Sequence, residues 1–83
     1  GWAAAALVMA QAEAATRPSD AAQRAVEVLA RVPAARLRST SRARLAQLGS
    51  ALAASDAAGV ADLRERVRAL PPSIDAHGGV VSA

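Results

Sequence analysis

The chain has no cysteine, no lysine, no tyrosine and no phenylalanine, and Trp2 is its single aromatic residue. Each absence closes a class of explanation. Without cysteine there is no disulfide staple and no thiolate metal site, although a chain of 83 residues buries only a modest core. That lack fits a reducing compartment, and the cytoplasm is the expected location. With no aromatic near the arginine-rich stretch 31–45, there is no platform there on which bases would stack. Strand-favouring aromatic and β-branched runs are scarce as well. Every basic residue is arginine, a bias of GC-rich coding sequence that concerns ancestry rather than mechanism. No apolar run reaches the roughly 20 residues needed to cross a bilayer, so no membrane span is expected.

What is present is alanine, with leucine, valine and arginine behind it. Alanine, leucine and arginine are strong helix formers, so the local preference is helical almost throughout. Bulky apolar side chains are few, and a core must therefore form by close helix approach across alanine faces. The chain opens on Gly1 and runs at once into an apolar stretch, which leads us to expect that it begins inside a larger protein. The opening "GWAAAALVMAQAEAA" also has the order of a signal-peptide core and cleavage site, with Ala12-Glu13-Ala14 as the small-x-small element. No charged region precedes it, and Gln11 and Glu13 interrupt it, so a helix is the preferred reading.

Four helices are expected, over about 2–15, 20–32, 41–54 and 57–70. The first ends at "TRPSD", where Pro18 disfavours helix at Arg17. Ser19 or Asp20 should cap the second, and Asp20 with Gln23 makes a capping-box pattern. Ala22, Val26 and Leu29 then share a face, with Asp20–Arg24 and Glu27–Arg31 as exposed i, i+4 pairs, and Pro33 closes the helix. The third begins near Thr40 or Ser41 and carries the stripe Leu45, Leu48 and Leu52, beside which Gly49 would permit a close crossing. Ser55 or Asp56 should cap the fourth, whose face is Val60, Leu63, Val67 and Leu70, with Asp62–Arg66 outside. Pro71-Pro72 stops it. Residues 1–70 form one helical-repeat domain and 71–83 a flexible, disordered C-terminal tail. The fold class is all-α: two antiparallel helical hairpins, four helices in all, joined by a basic connector.

"AVEVLARVPAARLRSTSRARLAQLGSAL" followed by "DLRERVRAL", within Ala25 to Leu70, resembles the degenerate tetratricopeptide-type C-terminal arms of actinobacterial (Streptomyces-like) helix-turn-helix transcriptional regulators. "RVPAARLRS" leading into "RARLAQL" is its most specific part. The resemblance implies a tetratricopeptide-like right-handed stack, a DNA-binding domain upstream of this chain, and a role for the chain as the end of a sensor or interaction arm. Trp2 matches the tryptophan of the repeat's first helix. The Leu-Gly and Tyr positions after it are Ala5, Ala6 and Met9, and Pro33 fits the closing proline only with a lengthened turn at 16–19.

The charge is concentrated. The net charge is +3, yet residues 1–30 and 56–83 each carry −1, while 31–55 supplies +5. "RVPAARLRSTSRARL", residues 31–45, holds five arginines and no acid. Arg31, Arg36, Arg38, Arg42 and Arg44 are the candidate anion or nucleic-acid contacts, since guanidinium binds phosphate in bidentate fashion, and Ser39, Thr40 and Ser41 add hydroxyls. "RLRSTS" also offers Ser39 to a basophilic kinase, at a position where phosphate would favour the helix dipole. Solvated arginines joining two helices are the plainer explanation. The second half has the outline of a DNA-binding helix-turn-helix with Arg64, Arg66 and Arg68 in the groove. However, that helix spends its wide face on apolar residues, and surface ion pairing accounts for its charges better.

His77 has only Asp75 near it in sequence, where a metal site needs several convergent ligands. No catalytic, cofactor-binding or metal-binding residue is expected. The primary expectation is a non-catalytic protein–protein interaction module. Its interaction face is Trp2, Leu7 and Met9 on a helix that is apolar all round, covered by a neighbouring repeat, a protein partner or a second copy of the chain. The alternative is a small basic module that binds nucleic acid or phosphate through the connector 31–44.

Overall fold

The structure, a computed structural model, describes residues 1–71. Four α-helices, α1 (Trp2–Glu13), α2 (Pro18–Arg31), α3 (Ser39–Ala51) and α4 (Val60–Arg68), are joined by a single 3-10 turn at Ala34–Arg36 and by loops. No strand occurs among the described residues. The expected tail from residue 72 onward, with Asp75 and His77, lies outside them.

The helix ends differ from the expected ones for local reasons. Pro18 does not merely stop α1; it sits in the first turn of α2, where its missing N–H costs nothing and its fixed φ suits the helix. Arg17 is thus the N-cap residue, and the expected cap by Ser19 or Asp20 does not form. Gln23 Nε2 instead donates to Ser19 Oγ at 3.2 Å. Val32 is extended, as a residue before proline should be, and ends α2. The connector is mostly exposed but is not an irregular loop throughout. Arg36 N–H donates to the Pro33 carbonyl at 2.8 Å, closing the 3-10 turn, and Leu37 drops into the core. α3 consequently starts at Ser39, earlier than expected, with Arg38 as N-cap residue and no side chain capping it. Ser55 does not cap α4 either: its Oγ accepts the Ala57 N–H at 3.2 Å, and the helix starts at Val60 after a left-handed Gly59.

α1 packs on α2 and α3, and α4 packs on the same two helices. Five of the thirteen buried apolar residues are alanines: Ala6, Ala10, Ala21, Ala22 and Ala25. They sit on α1 and α2, where small side chains let the two backbones approach closely. Leu7, Val28, Leu45, Leu48, Leu52, Val60 and Leu63 fill the remaining volume and are essentially inaccessible. Each such side chain contributes about 1.5–3 kcal/mol of transfer free energy. The inward face of α2 is Ala21, Ala22, Ala25 and Val28; of the expected face, Ala22 is fully buried while Val26 and Leu29 are only partly buried. The close crossing needs alanine in the middle and accepts bulk at the edges. Gly49, expected to mark a close approach, faces open space: a Cβ there would meet nothing within 4 Å.

One ion pair also departs from the i, i+4 pattern. Glu27–Arg31 (2.9 Å) and Asp62–Arg66 (3.0 Å) form as expected. Arg24, however, turns from Asp20 to Glu13 at the end of α1, with Nε at 2.9 Å and Nη2 at 3.3 Å from the two carboxylate oxygens. The hydrogen bond from Arg24 holds the Glu13 carboxyl below its ordinary value; partial burial opposes the shift, and the Arg24 and Arg17 charges add to it. A depressed carboxyl pKa contributes stability above the unfolded-state value, lost as pH falls through the folded-state value. Glu13→Gln should therefore melt lower than the parent near neutral pH, and the gap should narrow as pH falls below the ordinary glutamate value. Circular dichroism melts across that range check this; a gap independent of pH would show that the contact is not ionic in effect.

Candidate functional site

Two surfaces merit attention: the outer side of α1 and the basic connector. α1 has no polar side chain between Ala3 and Ala10. Ala6, Leu7 and Ala10 turn inward. Leu7, expected on the interaction face, is completely buried in the chain's own core and is not available there. The outer side carries Trp2, Val8 and Met9, each about half exposed at 49, 49 and 50 %, and these are the large exposed hydrophobics of the described residues. Val8 was not anticipated; its place beside Met9 on the side away from Leu7 follows only once the inward face is known. The Trp2 ring is partly covered by Arg31, whose guanidinium carbon lies 5.5 Å from the ring centroid, a cation–π geometry.

The five arginines of the connector have different fates. Arg31 pairs with Glu27 and lies over Trp2. Arg42 is a clasp: Nη2 donates to the Ala34 carbonyl at 2.9 Å and Nη1 to the Pro71 carbonyl at 2.7 Å, which ties the 3-10 turn and the end of the described chain to α3. Arg44 Nη1 donates to Gln11 Oε1 at 2.7 Å, and Gln11 Nε2 donates onward to Gln47 Oε1 at 2.8 Å. Gln11, which in the sequence only interrupts an apolar run, is therefore the polar link between α1 and α3. Its signal is its position: one amide directly after the apolar run from Trp2 to Ala10.

Arg36 and Arg38 are exposed and form no ion pair with the described residues. Ser39 is exposed at the first position of α3, whereas Ser41 is 6 % exposed and is the one buried polar side chain among the described residues. The second-half arginines are surface residues: Arg66 is paired to Asp62 and Arg68 to Glu65 at 3.2 Å, while Arg64 is exposed.

Among the described residues no group of three or more His, Cys, Asp or Glu side chains stands close enough to hold a metal ion, and no helix is long and apolar enough to cross a membrane. Comparison with protein-family models, with curated proteins and with solved structures gives no match. The functional reading therefore rests on the geometry and the chemistry of these two surfaces.

Proposed function

We propose that the chain is a non-catalytic protein–protein interaction module, the terminal part of a tetratricopeptide-like helical-repeat arm in a bacterial, cytoplasmic transcriptional regulator. The observation that carries it is the outer side of α1. Trp2, Val8 and Met9 are half exposed on a helix with no charged side chain from Trp2 to Ala12, so that side offers apolar contact, with the Arg31 guanidinium beside the Trp2 ring. Burying such a face against a neighbouring repeat, a partner helix or a second copy of the chain is the mechanism: water leaves the apolar surface, and the Trp2 ring supplies a large rigid anchor.

The contacts favour the repeat architecture. Trp2 at the start of α1 meets Arg31 at the end of α2, the crossing made by two antiparallel helices in a hairpin. Packing of α1 on α2 and α3, and of α4 on α2 and α3, is compatible with two stacked hairpins and supports that reading. The resemblance of residues 25–70 to the arms of actinobacterial regulators points the same way.

The test incorporates a photo-reactive amino acid at position 9 and, as a control, at position 65 on the exposed side of α4, in cells that make the protein. Cross-linking of a discrete protein species, or of a second copy of the chain, from position 9 and not from position 65 supports the reading, provided that Val8→Glu removes it. No adduct from position 9, or equal adducts from both positions, refutes it.

A further inference from the structure

We infer that the groove between α3 and α4 receives the outer side of α1 from a second copy of this chain. The contact rests on the reading of that side as an interaction face, and it supplies the cover for it. The groove is an open cleft of about 340 Å³. Ala46, Gly49 and Ala53 of α3 form one wall, and Arg64, Val67 and Arg68 of α4 form the other. Val67 is partly buried against the core, so the bottom of the groove is apolar.

The two surfaces have opposite relief. On α1 the exposed residues Trp2, Ala5, Val8, Met9 and Ala12 recur at helical spacing, so the bulky ones stand along one ridge. On α3 the groove residues recur at i, i+3 and i+7 and carry a methyl group or nothing. A Cβ built on Gly49 meets nothing within 4 Å, so no described side chain fills the groove at that point. Helices pack by setting the ridge of one into the groove of another, and small side chains at the contact bring the axes closer. Small residues alone would not define a docking site. Here a matching ridge stands uncovered on the same chain.

Charge favours the same pairing. Residues 39–71, which build the groove, hold five arginines against three acids, whereas residues 1–30 hold two arginines against three acids. Docking α1 in the groove therefore brings the negative part of one copy to the positive part of another. Arg64 has no ion pair among the described residues, and Arg68 has only the exposed one with Glu65. The ridge brings no cation against them, since Trp2 to Ala12 hold no charged side chain. The arginine stems can lie along the apolar ridge while their guanidinium groups stay in water. The symmetric pairings are poorer. Groove against groove puts the Arg64 and Arg68 walls of both copies into one interface. Ridge against ridge sets bulk on bulk and leaves both grooves open.

Unlike surfaces meet in this contact, and they lie on different helices. Each side can therefore be spoiled separately. A chain with a spoiled ridge still has its groove, and a chain with a spoiled groove still has its ridge, so mixing the two restores one contact. A symmetric pairing of like surfaces has no such property. Neither change reaches the core: Val8 is half exposed, and position 49 faces open space.

The experiment is sedimentation equilibrium of the full chain over a concentration series up to about 1 mM, a range that populates weak, small interfaces. The weight-average mass is expected to climb with concentration above that of a single chain. Val8→Arg sets a cation on the ridge against the arginine wall, and Gly49→Arg fills the groove where arginine suits a helix better than glycine. Each should weaken self-association by about tenfold or more. Mixed in equal amounts, the two variants should form a complex of two chains at concentrations where neither associates alone. Met9→Arg and Ala53→Arg replace them if circular dichroism shows that either of the first pair has lost the parent's helicity. Overturning results are a parent that stays at one chain mass throughout, a Gly49→Arg chain that associates as the parent does, or a mixture that stays monomeric. A monomeric parent whose position 9 cross-links to a different protein keeps the interaction face and overturns the second copy as its cover. A monomeric parent with no such adduct overturns both.

Discussion

Leu63→Ala is expected to leave the chain largely unfolded at room temperature. Leu63 is fully buried on α4, the helix that packs across α2 and α3. Removing a buried leucine side chain costs about 2–5 kcal/mol, the larger values where the surroundings cannot collapse into the cavity. The surroundings here are α2, with its buried alanines, and α3, with its buried leucines, each packed against α4, so little relaxation is open to them. A domain of this size rarely holds more than about 3–5 kcal/mol in reserve, and no disulfide exists to add to it. The loss therefore matches the whole margin. Urea denaturation followed by far-UV circular dichroism measures it. Met9→Ala is the control: Met9 is half exposed, and its truncation should move the midpoint by no more than about 0.5 kcal/mol in stability terms. A Leu63→Ala chain as stable as the parent, with a destabilised Met9→Ala chain, would mean that the inner and outer faces have been assigned the wrong way round.

The contrast between those two residues also marks how far the sequence could be read. Leu45, Leu48, Leu52, Val60 and Leu63 were legible because bulky apolar residues at helical spacing give a clear period, and all five are buried. The inward face of α2 was misplaced toward Val26 and Leu29 because alanine carries almost no signal in such a pattern. The physical demand there is the opposite of bulk, namely that two backbones come close. On α1 the same blindness was complete. With apolar residues on every side, the sequence could not say that Leu7 turns in while Val8 and Met9 turn out. Helix ends failed for a different reason. α2 starts at Pro18 because proline suits a first turn, and α3 starts at Ser39 just after the buried Leu37; neither start has a side-chain cap. The candidate site was legible as a charge cluster only. That Arg42 and Arg44 are structural clasps while Arg36 and Arg38 stay exposed depends on contacts made 8 to 33 residues away along the chain, which no local pattern encodes.

Gly59→Val should produce the second large loss, and its cause can be isolated. Gly59 has φ +90 and is the one positive-φ residue among those described. It turns the loop after α3 into α4: its carbonyl accepts the Leu63 N–H at 2.9 Å, starting the helix whose Val60 and Leu63 enter the core. A left-handed conformation costs an ordinary residue about 1–2 kcal/mol, and a β-branched one up to about 3 kcal/mol. The expected order of stability at position 59 is Gly, then Asn, then Ala, then Val, because asparagine tolerates this region and valine does not. Crowding is the rival explanation, since α2 lies close by. A Cβ at 59 would sit 3.4 Å from Ala22 Cβ and 3.5 Å from Gln23 Cγ, which is ordinary van der Waals contact. The penalty should therefore be torsional. A double-mutant cycle of Gly59→Ala with Ala22→Gly separates the two, since removing the neighbour relieves a clash and leaves a torsion untouched. A coupling within about 0.5 kcal/mol of zero is expected; clear rescue by Ala22→Gly would instead make the α2–α4 approach the cause. Because the strain falls at the first turn of α4, hydrogen exchange in Gly59→Val should rise first in the α4 amides. The α1–α2 contacts, held by the alanine crossing and the Glu13–Arg24 pair, should lose protection later.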